Sequence, residues 1–212
     1  VLPLLPEYCR RYPRVQVELH LDDTVSDMIA DGYDLGIRVG EMSDGTMVAR
    51  SIAPLPFVAC GSPAYLAEHG EPRMTADLAA HNCLRMRGRG AGGALNWRRG
   101  PARRPVSPPV SGNFVSNDMA ALVMAAVNGQ GLVLAPLPFV LPLFRSGALL
   151  PVLPESVAHG LYVFIHYPNR KNLPARVRTL VSFLLERFRD NPDLTSDAQT
   201  LLAPFVRESK PR

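Results

Sequence analysis

Lysine is nearly missing from this chain: Lys171 and Lys210 stand against 21 arginines in 212 residues. A skew of that kind reflects genome composition as readily as selection for phosphate contacts. Cysteine is scarce too, with three at positions 9, 60 and 83 and no C-x-x-C pair. That excludes a disulfide framework or a zinc ribbon and suits a reducing cytosol. No apolar run reaches the roughly 18 residues of a membrane-spanning helix. No basic stretch followed by an apolar one marks a signal peptide. The chain opens at Val1 without a methionine, as a fragment of a longer protein would. Acidic residues are missing between Asp77 and Asp118, a window that holds seven arginines. The rest of the chain carries 16 basic and 19 acidic residues. Taken alone, the basic window invites a nucleic-acid reading. What is plentiful is apolar: 47% of the residues are hydrophobic, enough for a packed core in one large domain or two small lobes.

Periodicity organises the chain. Leu4, Tyr8 and Tyr12 are one turn apart and predict a helix over 2–12, stopped by Pro13. Val15, Val17, Leu19 and Leu21 alternate with polar residues and predict a strand. Val25, Met28 and Ile29 return to helical spacing, and Leu35, Ile37 and Val39 alternate again. This α-β-α-β opening predicts a parallel sheet covered by helices. The run 55–60 reads as a buried strand, Pro63 to His69 as a short helix, and 75–80 as another. The Arg-, Gly- and Pro-rich stretch 82–113 reads as short strands and exposed turns. A helix is expected over 118–128, with Ser116 and Asn117 as its capping residues. Strands are expected at 132–135, 149–153 and 161–166. The final helix, 174–189, has Val177, Leu180, Val181, Leu184, Leu185 and Phe188 on one face. Two lobes with crossovers near 55–60 and 161–166 fit the contrast between regular ends and irregular middle.

Candidate chemistry is sparse. Gly88 to Gly93 matches G-x-G-x-x-G in letters, but no helix follows and no acid comes before Asp118, so it reads as a hairpin. Ser62 precedes Pro63, which suits a helix cap and not a nucleophile elbow. His20, His69, His81, His159 and His166 form no metal-binding spacing, and His81 with Cys83 is two ligands short of a site. Cys60 reads as a small buried hydrophobe. The helix start at Ser116-Asn117 is a potential anion site, because helix N-termini leave N–H groups unpaired. Arg38, at the end of the strand 34–37, suits a crevice at the carboxyl edge of a parallel sheet, with a surface salt bridge as the competing explanation.

Several of these segments together resemble one family. Asp31-Gly32-Tyr33-Asp34-Leu35-Gly36-Ile37-Arg38-Val39-Gly40 is similar to the helix-to-strand signature of LysR-type transcriptional regulators. So are Cys60 to Pro72, Asp77 to Leu84, Ser116-Asn117-Asp118 leading to Gly129-Gln130-Gly131-Leu132, and Tyr167-Pro168. The likeness is collinear over residues 1–189.

The resemblance implies the effector-binding regulatory domain of such a regulator. It implies an α/β fold like type 2 periplasmic binding proteins, two lobes joined by a hinge of two crossing segments. The lobes would be 1–56 with 165–212, and 57–164. A small-molecule effector, a carboxylate or other anion, is expected in the cleft. Its expected contacts are Thr24, Arg38, Val39, Gly40, Arg85, Met86, Arg87, Ser116, Asn117, Ala135 and Pro136. Arg98, Arg99, Arg103 and Arg104 are expected on a solvated surface. No catalytic residue, metal or cofactor is expected. The family's winged helix-turn-helix, which contacts DNA, and the first strand of the regulatory domain are expected ahead of Val1. A cytoplasmic homodimer or homotetramer, with no membrane partner, completes the expectation. A solute-binding protein of the same fold would carry an export signal. A bilobal enzyme would need converging acid, base or metal ligands.

Overall fold

A computed structural model of the chain describes residues 1–21, 32–40, 47–87, 97, 107–158, 161–168 and 173–206. The expected helix at 25–29 with Thr24, the hairpin at 88–93, Arg98, Arg99, Arg103, Arg104 and His159 lie outside these residues. In chain order the first elements are α1 (Leu5–Arg11), β1 (Gly36–Val39), β2 (Met47–Pro54) and β3 (Phe57–Gly61). Then come α2 (Pro63–His69), β4 (Cys83–Met86), β5 (Val115–Ser116) and α3 (Met119–Val127). They are followed by β6 (Leu132–Pro136), α4 (Leu137–Arg145), β7 (Leu150–Val152) and β8 (Tyr162–Pro168). The last are α5 (Ala175–Arg189), α6 (Pro192–Thr195) and α7 (Ala198–Leu202). The chain divides into two units, Val1–Pro54 with Leu161–Thr195, and Leu55–Gly160 with Ser196–Arg212.

In the first unit β8 lies between β1 and β2, and both ladders are antiparallel. The parallel sheet expected from the α-β-α-β opening is therefore corrected for this unit. Alternation reports which face is buried and is silent about the direction of the neighbour. The expected strand at 15–21 is corrected as well. Val15 and Val17 pack on the core, but Leu19 is 49% and Leu21 77% exposed, and no ladder forms there among the described residues. The final helix follows its periodicity. Val177, Val181, Leu184 and Phe188 are buried, joined by Phe183, against Tyr8 of α1 and Ile165 and Tyr167 of β8. Tyr8 is fully buried, and its hydroxyl is satisfied by α5, donating to the Arg176 carbonyl at 3.1 Å beside Thr179 Oγ1 at 3.0 Å.

The second unit holds a five-stranded sheet in the order β5-β4-β6-β3-β7. β4 is parallel to β5 and to β6, whereas β3 is antiparallel to β6 and β7. α4 has no counterpart in the sequence reading. Pro138 and Pro142 hid it, yet Pro138 falls in the first turn, where a missing N–H costs nothing. Leu137, Val140, Leu141 and Phe144 face the core. The tail expected in the first lobe behaves otherwise: Ala198 and Leu202 are buried in the second unit's core, and Phe205 stands against Phe144 at 5.8 Å. Ser62 caps α2 as expected, its hydroxyl accepting from Tyr65 N at 3.2 Å. Ser62→Ala will cost about 1 kcal/mol in urea unfolding, and a neutral result would deny the cap its role.

Candidate functional site

The residues expected to meet an effector fall on both units. In the second unit the parallel ladders gather several of them. Arg85 pairs with Val115 and Met86 with Ser116. Arg85 N donates to Phe114 O at 3.1 Å, and Arg87 N donates to Ser116 O at 2.7 Å. On the other side of β4, Cys83 pairs with Leu132 and Leu84 with Val133, so β6 reaches Ala135 and Pro136 alongside the end of β4. The carboxyl ends of β5, β4 and β6 thus form one edge, with α3 starting just past β5 and α4 just past β6. Such an edge is where open parallel sheets bind ligands.

The side chains at this edge are not equivalent. Arg85 is half-buried, and its Nη2 donates to Gly112 O at 3.2 Å. Arg87 and Asn117 are exposed, whereas Met86, Ser116 and Pro136 are half-buried. Ala135 is fully buried in the core. Ser116 and Asn117 do not cap α3. The cap is Asp118, whose Oδ1 accepts from Ala121 N at 3.0 Å, while Ser116 Oγ accepts from Asp118 N at 3.0 Å. The correction has a physical reason: Asp is as good a cap as Ser or Asn, and Ser116 is held in the ladder at the end of β5. Asp118 also places a carboxylate at the helix start, so an anion there relies on the arginines for its charge balance.

In the first unit Arg38 is half-buried on β1 opposite Phe164, and Val39 is 52% exposed opposite Val163. Gly40 has a φ of +107°, a conformation that favours glycine, and its N–H donates to Tyr162 O at 3.1 Å. Because β1 is antiparallel to β8, the crevice argument for Arg38 falls away and its assignment rests on the resemblance. Thr24 lies outside the described residues.

Two concavities are present elsewhere. One of about 180 Å³ is lined by Asp34, Pro174 and Arg176 in the first unit, and one of about 370 Å³ by Thr75, Ala79 and Pro109 in the second. Neither includes an expected contact. Asp34 there accepts from both Nε and Nη2 of Arg176 at 3.1 Å. Cys60 is buried, and burial pushes its thiol pKa well up, as fits an inert core residue. Tyr65, His81 and Asn82 form a network, with the Tyr65 hydroxyl 3.3 Å from His81 Nδ1 and accepting from Asn82 N at 3.0 Å. This network ties α2 to the start of β4. Asp118, the residue that caps α3, is not among the caps expected from the sequence. The signal for Asp118 was its position just before an apolar periodic run.

Among the described residues no helix is long and apolar enough to cross a membrane. Comparison with known proteins bears on the whole arrangement. A family model described as the LysR substrate binding domain matches residues 1–189. An uncharacterized HTH-type transcriptional regulator of Haemophilus influenzae is 31% identical over 177 residues, 84% of this chain and 61% of the relative. The HTH-type transcriptional activator AaeR of Escherichia coli K12 is 30% identical over 186 residues, 87% of this chain and 59% of the relative. The solved structure of CrgA, a LysR-type transcriptional regulator from Neisseria meningitidis, superposes with a TM-score of 0.79 at 28% identity, covering 90% of this chain and 64% of that one. This chain therefore spans less than two thirds of the length of the relatives it matches. The mixed α/β architecture, the collinear segments and these likenesses agree, and the chain belongs to the LysR-type transcriptional regulators, residues 1–189 forming their substrate-binding domain.

Proposed function

We propose that this domain senses a small anion, with a carboxylate as its charged group, and passes that signal to DNA-binding segments of a longer cytoplasmic regulator acting as a dimer or tetramer. One observation supports the reading: β5, β4 and β6 end along one edge beside two helix starts, and Arg87, Ser116, Asn117 and Pro136 lie at or just past those strand ends. Guanidinium groups suit carboxylates because their donors match both oxygens. The resemblance adds Arg38, Val39, Gly40 and Thr24 as contacts. No bond need be made or broken, because an anion preferring one arrangement of the protein shifts its population.

Calorimetry of the chain against a panel of small carboxylates tests this. Arg38→Ala combined with Asn117→Ala is expected to weaken binding roughly tenfold or more, the scale of one or two charge-assisted hydrogen bonds. Thermal stability should be nearly unchanged. Equal affinity in wild type and double variant would remove both residues from the site.

A further inference from the structure

His166 is 1% exposed, and neither ring nitrogen has a hydrogen-bond partner. It lies on β8, the middle strand of the first unit's sheet, with Gly36 opposite on β1 and Ala49 opposite on β2. These two small residues leave room for the ring and offer its nitrogens no side-chain partner. By strand alternation Tyr162 and Phe164 share its face on β8, Arg38 on β1 and Ser51 on β2. Of these, Arg38 carries a charge and Tyr162 is titratable, while β2 presents no ionisable group on this face. A buried imidazole without partners costs free energy that an aliphatic side chain would avoid.

We infer that His166 is an acid sensor: its ring takes up a proton only when the β1–β8–β2 sheet opens, so mild acidification loosens the strand that carries Arg38. Burial, and then the positive charge of Arg38, hold its pKa below the ordinary 6.5. The sign follows. Above pH 6.5 both closed and opened forms are neutral, and the closed form keeps its full stability. As pH falls through 6.5 the opened form gains a proton that the closed form refuses, and stability is lost. This inference stands apart from the identity of any effector.

Hydrogen exchange of the whole chain at pH 7.5 and 5.5, corrected for intrinsic rates, tests it. Wild type is expected to lose up to about tenfold in protection of β1, β2 and β8 at the lower pH, the limit for a site one unit above it. His166→Leu should abolish that loss. His166→Gln, which is polar but does not titrate, reads the same change if the leucine variant folds poorly. The second unit, whose His81 is also buried, is the reference and should respond alike in all three proteins. A loss that persists in the variants, or its absence from wild type, overturns the inference.

Discussion

Gly112→Ala is expected to destabilise the second unit by about 3 kcal/mol or more, by the same reasoning that makes overpacked cores costly. A Cβ at this position would stand 2.0 Å from the Cys83 carbonyl oxygen and 2.8 Å from its carbon. Both are backbone atoms of a strand and cannot swing away as a side-chain tip can. Relief requires the segment before β5 to separate from β4, which breaks the bond from Cys83 N to Ser111 O at 2.9 Å. The Asn82 clasp would suffer as well, since Asn113 N donates to Asn82 Oδ1 at 3.0 Å. Gly131 makes the matching approach on the other side, where a Cβ would fall 2.2 Å from Asn82 O. Gly147→Ala is the informative control. Its φ of +74° strains any other residue, but nothing lies within 4 Å of its Cβ position, so its cost should stay near 1 kcal/mol. Thermal unfolding of the three proteins separates collision from strain. Equal losses at Gly112 and Gly147 would show that close approach is not what matters.

The second large effect is expected at Trp97, the single tryptophan of the chain. It is 2% exposed, and it packs with Tyr65, Leu66, Leu78, Cys83 and Leu153. Its Nε1 donates to the Leu84 carbonyl at 3.2 Å. Trp97→Ala removes a large buried ring and should cost roughly 3–5 kcal/mol. Trp97→Phe keeps most of the apolar contact and loses the hydrogen bond, so about 1–2 kcal/mol is expected. Urea unfolding followed by circular dichroism reads both without needing the indole as a probe. A Trp97→Ala loss below about 0.5 kcal/mol, the scale of a surface change, would contradict this burial.

Trp97 also shows where sequence reading reached its limit. It sits in an Arg- and Gly-rich stretch whose composition says surface, and composition averages over a residue that turns inward. Helices with a clean apolar period, α5 above all, were legible to within a residue or two. α4 was not, because proline is a poor helix residue everywhere except the first turn, and the sequence alone does not say where the first turn falls. β2, with Ala49, Arg50 and Ser51 at its centre, lacks the alternation of a half-buried strand and is defined by its ladder to β8. Strand direction escaped for a similar reason, since the neighbours of β1 are far away in the chain. At the candidate site, Ser116 and Asn117 were correctly placed near a helix start, but the cap itself was off by one residue. Arg87 and Pro136 lie at the ends of strands joined by ladders whose register no local pattern encodes.

The destination of α7 has a bearing on how the chain is made. Leu202 closes a core that also contains Val58 and Leu84. During synthesis the strands of the second unit emerge early, yet that apolar core lacks its last pieces until residue 202 has left the ribosome. By then every described element of the first unit is already free to fold. Until then the nascent chain carries a partly uncovered hydrophobic surface, a period when aggregation competes with folding.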